Sequence, residues 1–302
     1  MIPFVKYRKL YYSISGLLIL ASLVGFILWG LNWGIDFRGG TSLSVEYENQ
    51  APSVSQVREA VNDLGFQGSN VQPIGKTQIA IQINRNDVSL GEKNQLIGEL
   101  GKLGKMQEGV FSFQQISPII GSQLKGKTIT VAILSIIAIL LYISWAFRKI
   151  YHPLPSWQYG LSALIALFHD VLIVIGVFIL LGHFYGFQIN IPSITALLVV
   201  FGYSVNDTVV VFDRIRENLL KSGDETYQEV VNASLNQTLV RSLNTSLTTL
   251  FVLLAIFFMG GVTLHSFALA LSVGIVSGSY SSIFLASPIL VSWHQWKYRS
   301  EK

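Results

Sequence analysis

His169, Asp170, Asp207 and Arg241 are ionisable side chains set within, or at the rim of, long apolar stretches of the chain. A charge at the centre of a bilayer costs roughly 2.5 kcal/mol or more, so each such group needs a reason to be there. Proton transfer is the chemistry that carboxylate and imidazole share. Asp207 stands in FGYSVNDTVVVFDRIREN, residues 201 to 218, a few positions before Asp213, where the apolar run ends. At 1.5 Å per residue it lies only about 9 Å inside that end. Arg241 opens the following apolar run. One helix descending and the next rising bring Asp207 and Arg241 to similar depth, where an ion pair could form that a proton on Asp207 would loosen. The plainer alternative is a static pair that fixes helix register.

Polar residues gather around these charges. Ser234, Gln237, Thr238, Arg241, Asn244, Thr245, Thr248 and Thr249 follow helical spacing and fall within roughly 140° of one wheel, a polar stripe running into the membrane. Ser204 and Thr208 flank Asp207, so hydroxyls from two helices could line a hydrated path, or simply bond back to their own carbonyls. His169 and Asp170 lie about ten residues into another apolar run, near mid-membrane by the same rise. Adjacent on a helix, they point about 100° apart and need not touch; a proton relay and plain helix-to-helix hydrogen bonding stay open. His152, His183, His265 and His294 sit in loops or near helix ends, where a structural role is expected.

The elements that must position these groups follow from composition. The chain has 302 residues, 51% hydrophobic and 13% charged, more apolar content than one soluble core absorbs. Apolar runs near 13–31, 129–147, 159–181, 189–212, 243–259 and 267–293 are each long enough to cross about 30 Å of hydrocarbon, which predicts six transmembrane helices. The first follows Lys6, Arg8 and Lys9, but its length and the absence of a small-residue cleavage site make it an uncleaved anchor. Those three, Arg148 and Lys149, Arg214, Arg216 and Lys221, and Lys297, Arg299 and Lys302 all fall on one side, placing both termini in the cytoplasm. The net charge of +4 records that asymmetry and does not imply nucleic acid. Zero cysteines exclude disulfides and thiolate metal sites. HExxH, GxSxG and P-loop motifs are missing, so no enzyme, metal site or cofactor is expected, and a proton gradient is the available energy source.

One polar domain separates the first two spans. TSLSVEY (41–47) and TQIAIQI (77–83) alternate like strands, residues 54–65 and 91–104 have helical spacing, and a short strand near 70–74 and a closing strand at 110–116 complete the set. Strand, helix, strand, strand, helix, strand is the order of a ferredoxin-like α/β unit. The division expected is 1–35 for the N-terminus and first span, 36–122 for the external domain, and 123–302 for the remaining spans. At the junction, Gly39 and Gly40 permit unusual backbone angles, and Asp36 with Arg38 could bridge the helix end to the following strand. Ala270, Gly274, Gly278 and Ser282 recur every four residues, a smooth face for helix packing that carries no chemistry.

WGIDFRGGTSL (33–43) and FGYSVNDTVVVFDRIREN (201–218) strongly resemble the two signature regions of the SecF family of bacterial protein export, and LFHD (167–170) and QTLVRSLNTS (237–246) fit the same family over essentially the whole chain. The resemblance implies half of a resistance-nodulation-division bundle, with SecD as obligate partner supplying the other six spans. It implies residence in the bacterial inner membrane with a periplasmic domain, and use of the proton-motive force to promote preprotein movement through, and release from, the SecYEG translocon. SecA-driven preproteins, YidC, YajC and membrane lipids are the further partners implied. Half of a proton-driven small-molecule or lipid exporter is the alternative within that superfamily, and a module that only stabilises the translocon is a third reading. Carried over by position, Asp207 and Arg241 match the charged pair for proton conduction, with Asn206, His169 and Asp170 completing the set. Gly34, Asp36, Arg38, Gly39 and Gly40 match the domain junction, and Ser204, Thr208, Asn244, Thr245 and Thr248 form the polar membrane stripe.

Overall fold

A computed structural model of the chain describes residues 1–148, 153–221, 223 and 225–299. Lys149, His152 and Lys302 lie outside them. Among the described residues six helical stretches are long and apolar enough to cross a membrane: Phe4–Trp29, Pro118–Ala146, Ser156–Tyr185, Ile191–Lys221, Tyr227–Met259 and Leu264–Lys297. Each reaches beyond at least one end of the apolar run that predicts it. The fifth extends furthest, beginning at Tyr227 where Thr226 and Glu229 form a capping box, because capping and not hydropathy sets a helix start.

The chain runs through α1 (Arg8–Trp29), α2 (Ile35–Arg38), β1 (Gly40–Tyr47), α3 (Val54–Asp63), β2 (Asn70–Ile74), β3 (Gln78–Ile83), α4 (Leu90–Leu103), β4 (Met106–Ile116), α5 (Pro118–Ala146), α6 (Ser156–Tyr185), α7 (Ile191–Lys221), α8 (Tyr227–Met259) and α9 (Val262–Ser281). A π turn over Ser282–Ala286 then joins α9 to α10 (Ser287–Arg299). The helix of the second span starts at Pro118, so residues 118–122, grouped above with the domain, are already its first turn.

The sheet domain has the ferredoxin-like order β2-β3-β1-β4, antiparallel throughout. Strand alternation turns Leu43, Val45 and Tyr47 of β1 and Ile79, Ile81 and Ile83 of β3 onto Val57, Val61, Leu96 and Leu100 of α3 and α4, which form one apolar core. Capping boxes Ser53–Gln56 and Ser89–Glu92 start the two helices. Tyr47 is fully covered and donates to the Leu100 carbonyl at 3.3 Å. Burial pushes its hydroxyl from 10.0 up to about 12, because the phenolate has no water to stabilise it. A raised value means the stabilisation is intact below pH 10 and lost as pH climbs towards 12. A tyrosinate absorbance titration is expected to contain a late component whose appearance coincides with loss of the domain, and Tyr47→Phe removes that component.

The bundle core is built mainly by α6, α7 and α9. Ala270 is fully buried, a Cβ on Gly274 would collide with Val200, and one on Gly278 would sit 3.2 Å from the Cα of Ser204. This small-residue face therefore lets α9 press against the helix that carries Asp207. The side of the termini is tied together as well: Asn232 and Asn236 of α8 hold the backbone of Ile2 at 2.8–3.1 Å, and Arg8 binds Gln295. Among the other histidines, His183 stacks on Trp29 and His294 on Tyr227, while His265 lies beside Phe257.

Candidate functional site: a buried pair of carboxylates

Asp170 is wholly buried at the meeting point of three helices. Its Oδ1 accepts from Ser277 at 2.7 Å and contacts His169 Nδ1 at 2.9 Å, and its Oδ2 accepts from Ser204 at 2.6 Å and Ser281 at 2.7 Å. An ionised carboxylate offers about four acceptor positions, and here all are used. His169 and Asp170 thus touch, although their Cα–Cβ directions diverge, because the ring folds back along its own helix. Tyr280 stacks on the imidazole at 5.8 Å, and His169 Nε2 is buried without a hydrogen-bond partner.

Asp207 is 6% exposed and is held differently. Ser282 donates to its Oδ2 at 2.5 Å, and the hydroxyl of Ser242 lies alongside without closing a bond of its own. Its Oδ1 carries no hydrogen bond among the described residues. Ser281 on Asp170 and Ser282 on Asp207 are adjacent residues, which brings the two carboxylates into one neighbourhood. A proton can therefore settle on Asp207 without displacing a donor, whereas a proton on Asp170 would break one of four contacts.

Two carboxylates on different helices are reached by consecutive serines, and the π turn makes that possible. Pro288 has no N–H, so the α-helical bond to the carbonyl of residue 284 cannot form, and the backbone widens over Ser282–Ala286. Hydroxyls bond to carbonyls within this stretch as well: Ser162 of α6 donates to Ala286 at 2.6 Å and Ser287 to Ser282 at 3.0 Å. Wide turns of this kind occur frequently at functional sites. A second hydroxyl run, Tyr203 to Ser246 to Ser279, crosses from α7 through α8 to α9.

The ion pair expected between Asp207 and Arg241 does not form. Arg241 is exposed and lines a separate cleft of about 250 Å³ with Val210, Asp213, Arg214, Glu217 and Gln237. Helix α8 turns Ser242, not Arg241, towards Asp207, since adjacent positions differ by about 100°. Asn206 is exposed for the same reason. The polar stripe also divides. Ser204, Thr208, Ser234 and Thr238 are buried, while Asn244, Thr245 and Thr248 are exposed on the outside of this chain. Thr245 and Thr248 bond back to the carbonyls of Arg241 and Asn244, and Thr208 to that of Ser204, so they do not line a path between the two charges. Sequence assigns no role to Ser277, Ser281 and Ser282, because serine on an apolar small-residue helix reads as packing.

At the junction, Asp36 and Arg38 do not bridge α1 to β1. Arg38 is exposed, and Asp36 Oδ2 accepts from the backbone N–H of Ile191 at 2.7 Å, the first residue of α7. Gly39 and Gly40 have φ of 80° and 136°, and a Cβ on Gly39 would lie 2.7 Å from Pro118 N. Gly34 donates to the Ile189 carbonyl at 2.7 Å. Phe37, which sequence did not single out, inserts into the bundle core with Val174, Phe178, Ala196 and Val200.

Residues 98–296 match the family model "Protein export membrane protein SecD/SecF, C-terminal", and residues 30–51 match the "SecD/SecF GG Motif". The protein translocase subunit SecF of Thermobaculum terrenum is 42% identical, covering 97% of this chain and 94% of that one. The SecDF of Brucella abortus is 35% identical over 97% of this chain but only 37% of its own length. The crystal structure of SecDF from Thermus thermophilus superposes with a TM-score of 0.82 at 34% identity, over 96% of this chain and 38% of that one. The chain thus spans little more than a third of the SecDF chains it matches, including one solved in a super-membrane-facing form with a TM-score of 0.70. The buried carboxylate pair and the glycine junction both lie within the matched segments, and the chain belongs to the SecD/SecF family of protein export membrane proteins.

Proposed function

We propose that the chain works with SecD as a proton-driven subunit that promotes preprotein movement through, and release from, SecYEG. Protonation of Asp207 is the coupling event in this reading. The observation that carries it is the contrast within the buried pair: Asp170 has every acceptor position filled, while Asp207, on a neighbouring helix, keeps one oxygen free of donors. A proton arriving there removes a repulsion from Asp170 and changes what Ser282 and the π turn must satisfy. That gives the proton a differential effect on two helix arrangements, as coupling requires. The exposed face of α8, with Arg241, Asn244, Thr245 and Thr248, is where the SecD spans would pack and where protons would reach the pair. The placement is the bacterial inner membrane, with both termini cytoplasmic and the sheet domain periplasmic.

The test is Asp207→Asn in the SecD-containing complex, which keeps shape and removes titration. Release of an exported protein from energised vesicles is expected to drop to the level measured with the gradient collapsed. Release at the wild-type rate, with assembly intact, would remove Asp207 from the mechanism and favour a purely structural subunit.

A further inference from the structure

The first helical turn of α7 is capped from outside its own segment. Of its early backbone donors, the N–H of Ile191 goes to Asp36 at 2.7 Å, Pro192 has none, and the N–H of Ser193 goes to the Asn190 side chain at 3.0 Å. Asn190 is the local N-cap, so a helix start of ordinary kind already exists. Asp36 adds a charged acceptor from the root of the sheet domain, where the helix dipole favours a negative group. It sits in α2, and α2 is locked on both sides. Towards the second span, Gly39 abuts Pro118 at the start of α5, and a Cβ on Gly121 of α5 would lie 2.8 Å from the Phe37 carbonyl. Towards the bundle, Phe37 is buried among α6, α7 and α9, and Gly34 and Asn32 exchange backbone bonds of 2.7 and 2.8 Å with Ile189. The sheet meets the same loop from above, through Asn70 to Gly186 at 3.1 Å and Gln72 to Tyr185 at 3.3 Å.

We infer that Asp36 is a positioning residue that transmits displacement of α7 to the sheet domain. The helix carrying Asp207 begins at Ile191 and is continuous to Lys221, so axial motion or tilt set off at Asp207 appears at Ile191. The bond to Asp36 is the one direct link from the first N–H of that helix to the segment from which β1 departs. Charge-assisted bonds of this kind are short and directional, and α2 has few rotatable positions through which motion could dissipate. The charged and titratable groups around Asp36 are Arg38, exposed on α2, Lys125 of α5, held 4.8 Å over the Trp33 ring, and Glu46 of β1, Tyr185 at the end of α6 and His265 of α9, which line the same 900 Å³ groove. Asp36 acts here as an acceptor for a backbone amide.

This inference rests on the proton-coupled reading, and the experiment separates the two. The chain has no cysteine, so spin labels can be placed at Ser55 on α3 with the exposed Leu17 on α1, a reference outside the moving helix, and in a second pair at Val199 on α7 with Val276 on α9. Both distances are measured in the SecD-containing complex in vesicles, at neutral and at acidic pH. In wild type both pairs are expected to shift. In Asp36→Ala the helix pair keeps its shift while the domain pair loses it, and Asp36→Asn, which retains an acceptor oxygen, restores most of it. A merely structural cap would alter unfolding without uncoupling one pair from the other. A domain shift of wild-type size in Asp36→Ala overturns the inference and leaves the proton-coupled reading standing. Absence of any shift in the wild-type helix pair overturns both.

Discussion

Replacement of Asp170 by alanine is expected to destabilise the bundle by about 3 kcal/mol and to leave little folded protein in the membrane. Four contacts converge on this carboxylate from His169, Ser204, Ser277 and Ser281, and all are buried. A buried donor left without an acceptor costs about 1–3 kcal/mol. The serines recover part of that by turning back to carbonyls of their own helices, a route Ser281 already uses towards Gly278 at 3.2 Å. His169 has no such recourse, because its other ring nitrogen is already buried without a partner. Asp170→Asn keeps the shape and two of the acceptor positions, and should lose only about 1–2 kcal/mol. Thermal unfolding of the complex in detergent orders the variants: wild type most stable, then asparagine, then alanine. An alanine variant as stable as wild type would show that the serines converge on position 170 by packing alone.

The other large effect is expected at the junction. Gly39 has φ 80° and ψ 166°, a region that is essentially reserved for glycine and costs other residues on the order of 1–3 kcal/mol. Its Cβ would also lie within 2.9 Å of three atoms of Pro118, where the backbone of α5 begins and cannot give way. Gly39→Val should therefore detach the sheet domain from the bundle, seen as rapid protease cleavage near residues 35–40 with the spans still inserted. Gly30→Ala is the control that isolates backbone strain, since Gly30 has φ 66° and ψ −171°, in the same glycine region, but a Cβ there would meet no atom within 4 Å. It should carry the backbone strain alone, about 1–3 kcal/mol, and leave the domain attached. Equal protease resistance in Gly39→Val and wild type would mean the domain is held mainly by Asn70, Gln72 and Phe37.

The two variants act on opposite ends of one path. Asp170 fixes where α6, α7 and α9 meet, and Gly39 fixes how the chain leaves the outer end of that arrangement. Between them lie Asp207, the length of α7 and the Ile191–Asp36 bond. The proton coupling proposed above requires this middle part to move while both ends hold.

Much of the architecture is open to reading from residues alone. Bilayer thickness demands apolar runs of about 20 residues, so the six spans announce themselves. A period of 2 against 3.6 separates strands such as 41–47 from helices such as 54–65. The cost of a buried charge marks Asp207 and Asp170 whatever surrounds them. Partner choice is not open in this way. Arg241 has the right charge and depth for Asp207, yet one step of helical phase faces it outwards and brings Ser242 in. Ser277, Ser281 and Ser282 look like packing residues until α9 lies against Ser204 and Asp170, because a hydroxyl in a helix satisfies itself locally unless a neighbour offers something better. Asp36 and Ile191 are 155 positions apart, and no local pattern links them. Sequence determined which groups are costly to bury, since that depends on each residue and its solvent; the tertiary structure decided who compensates them, since that depends on helix phase and on the widened turn before Pro288.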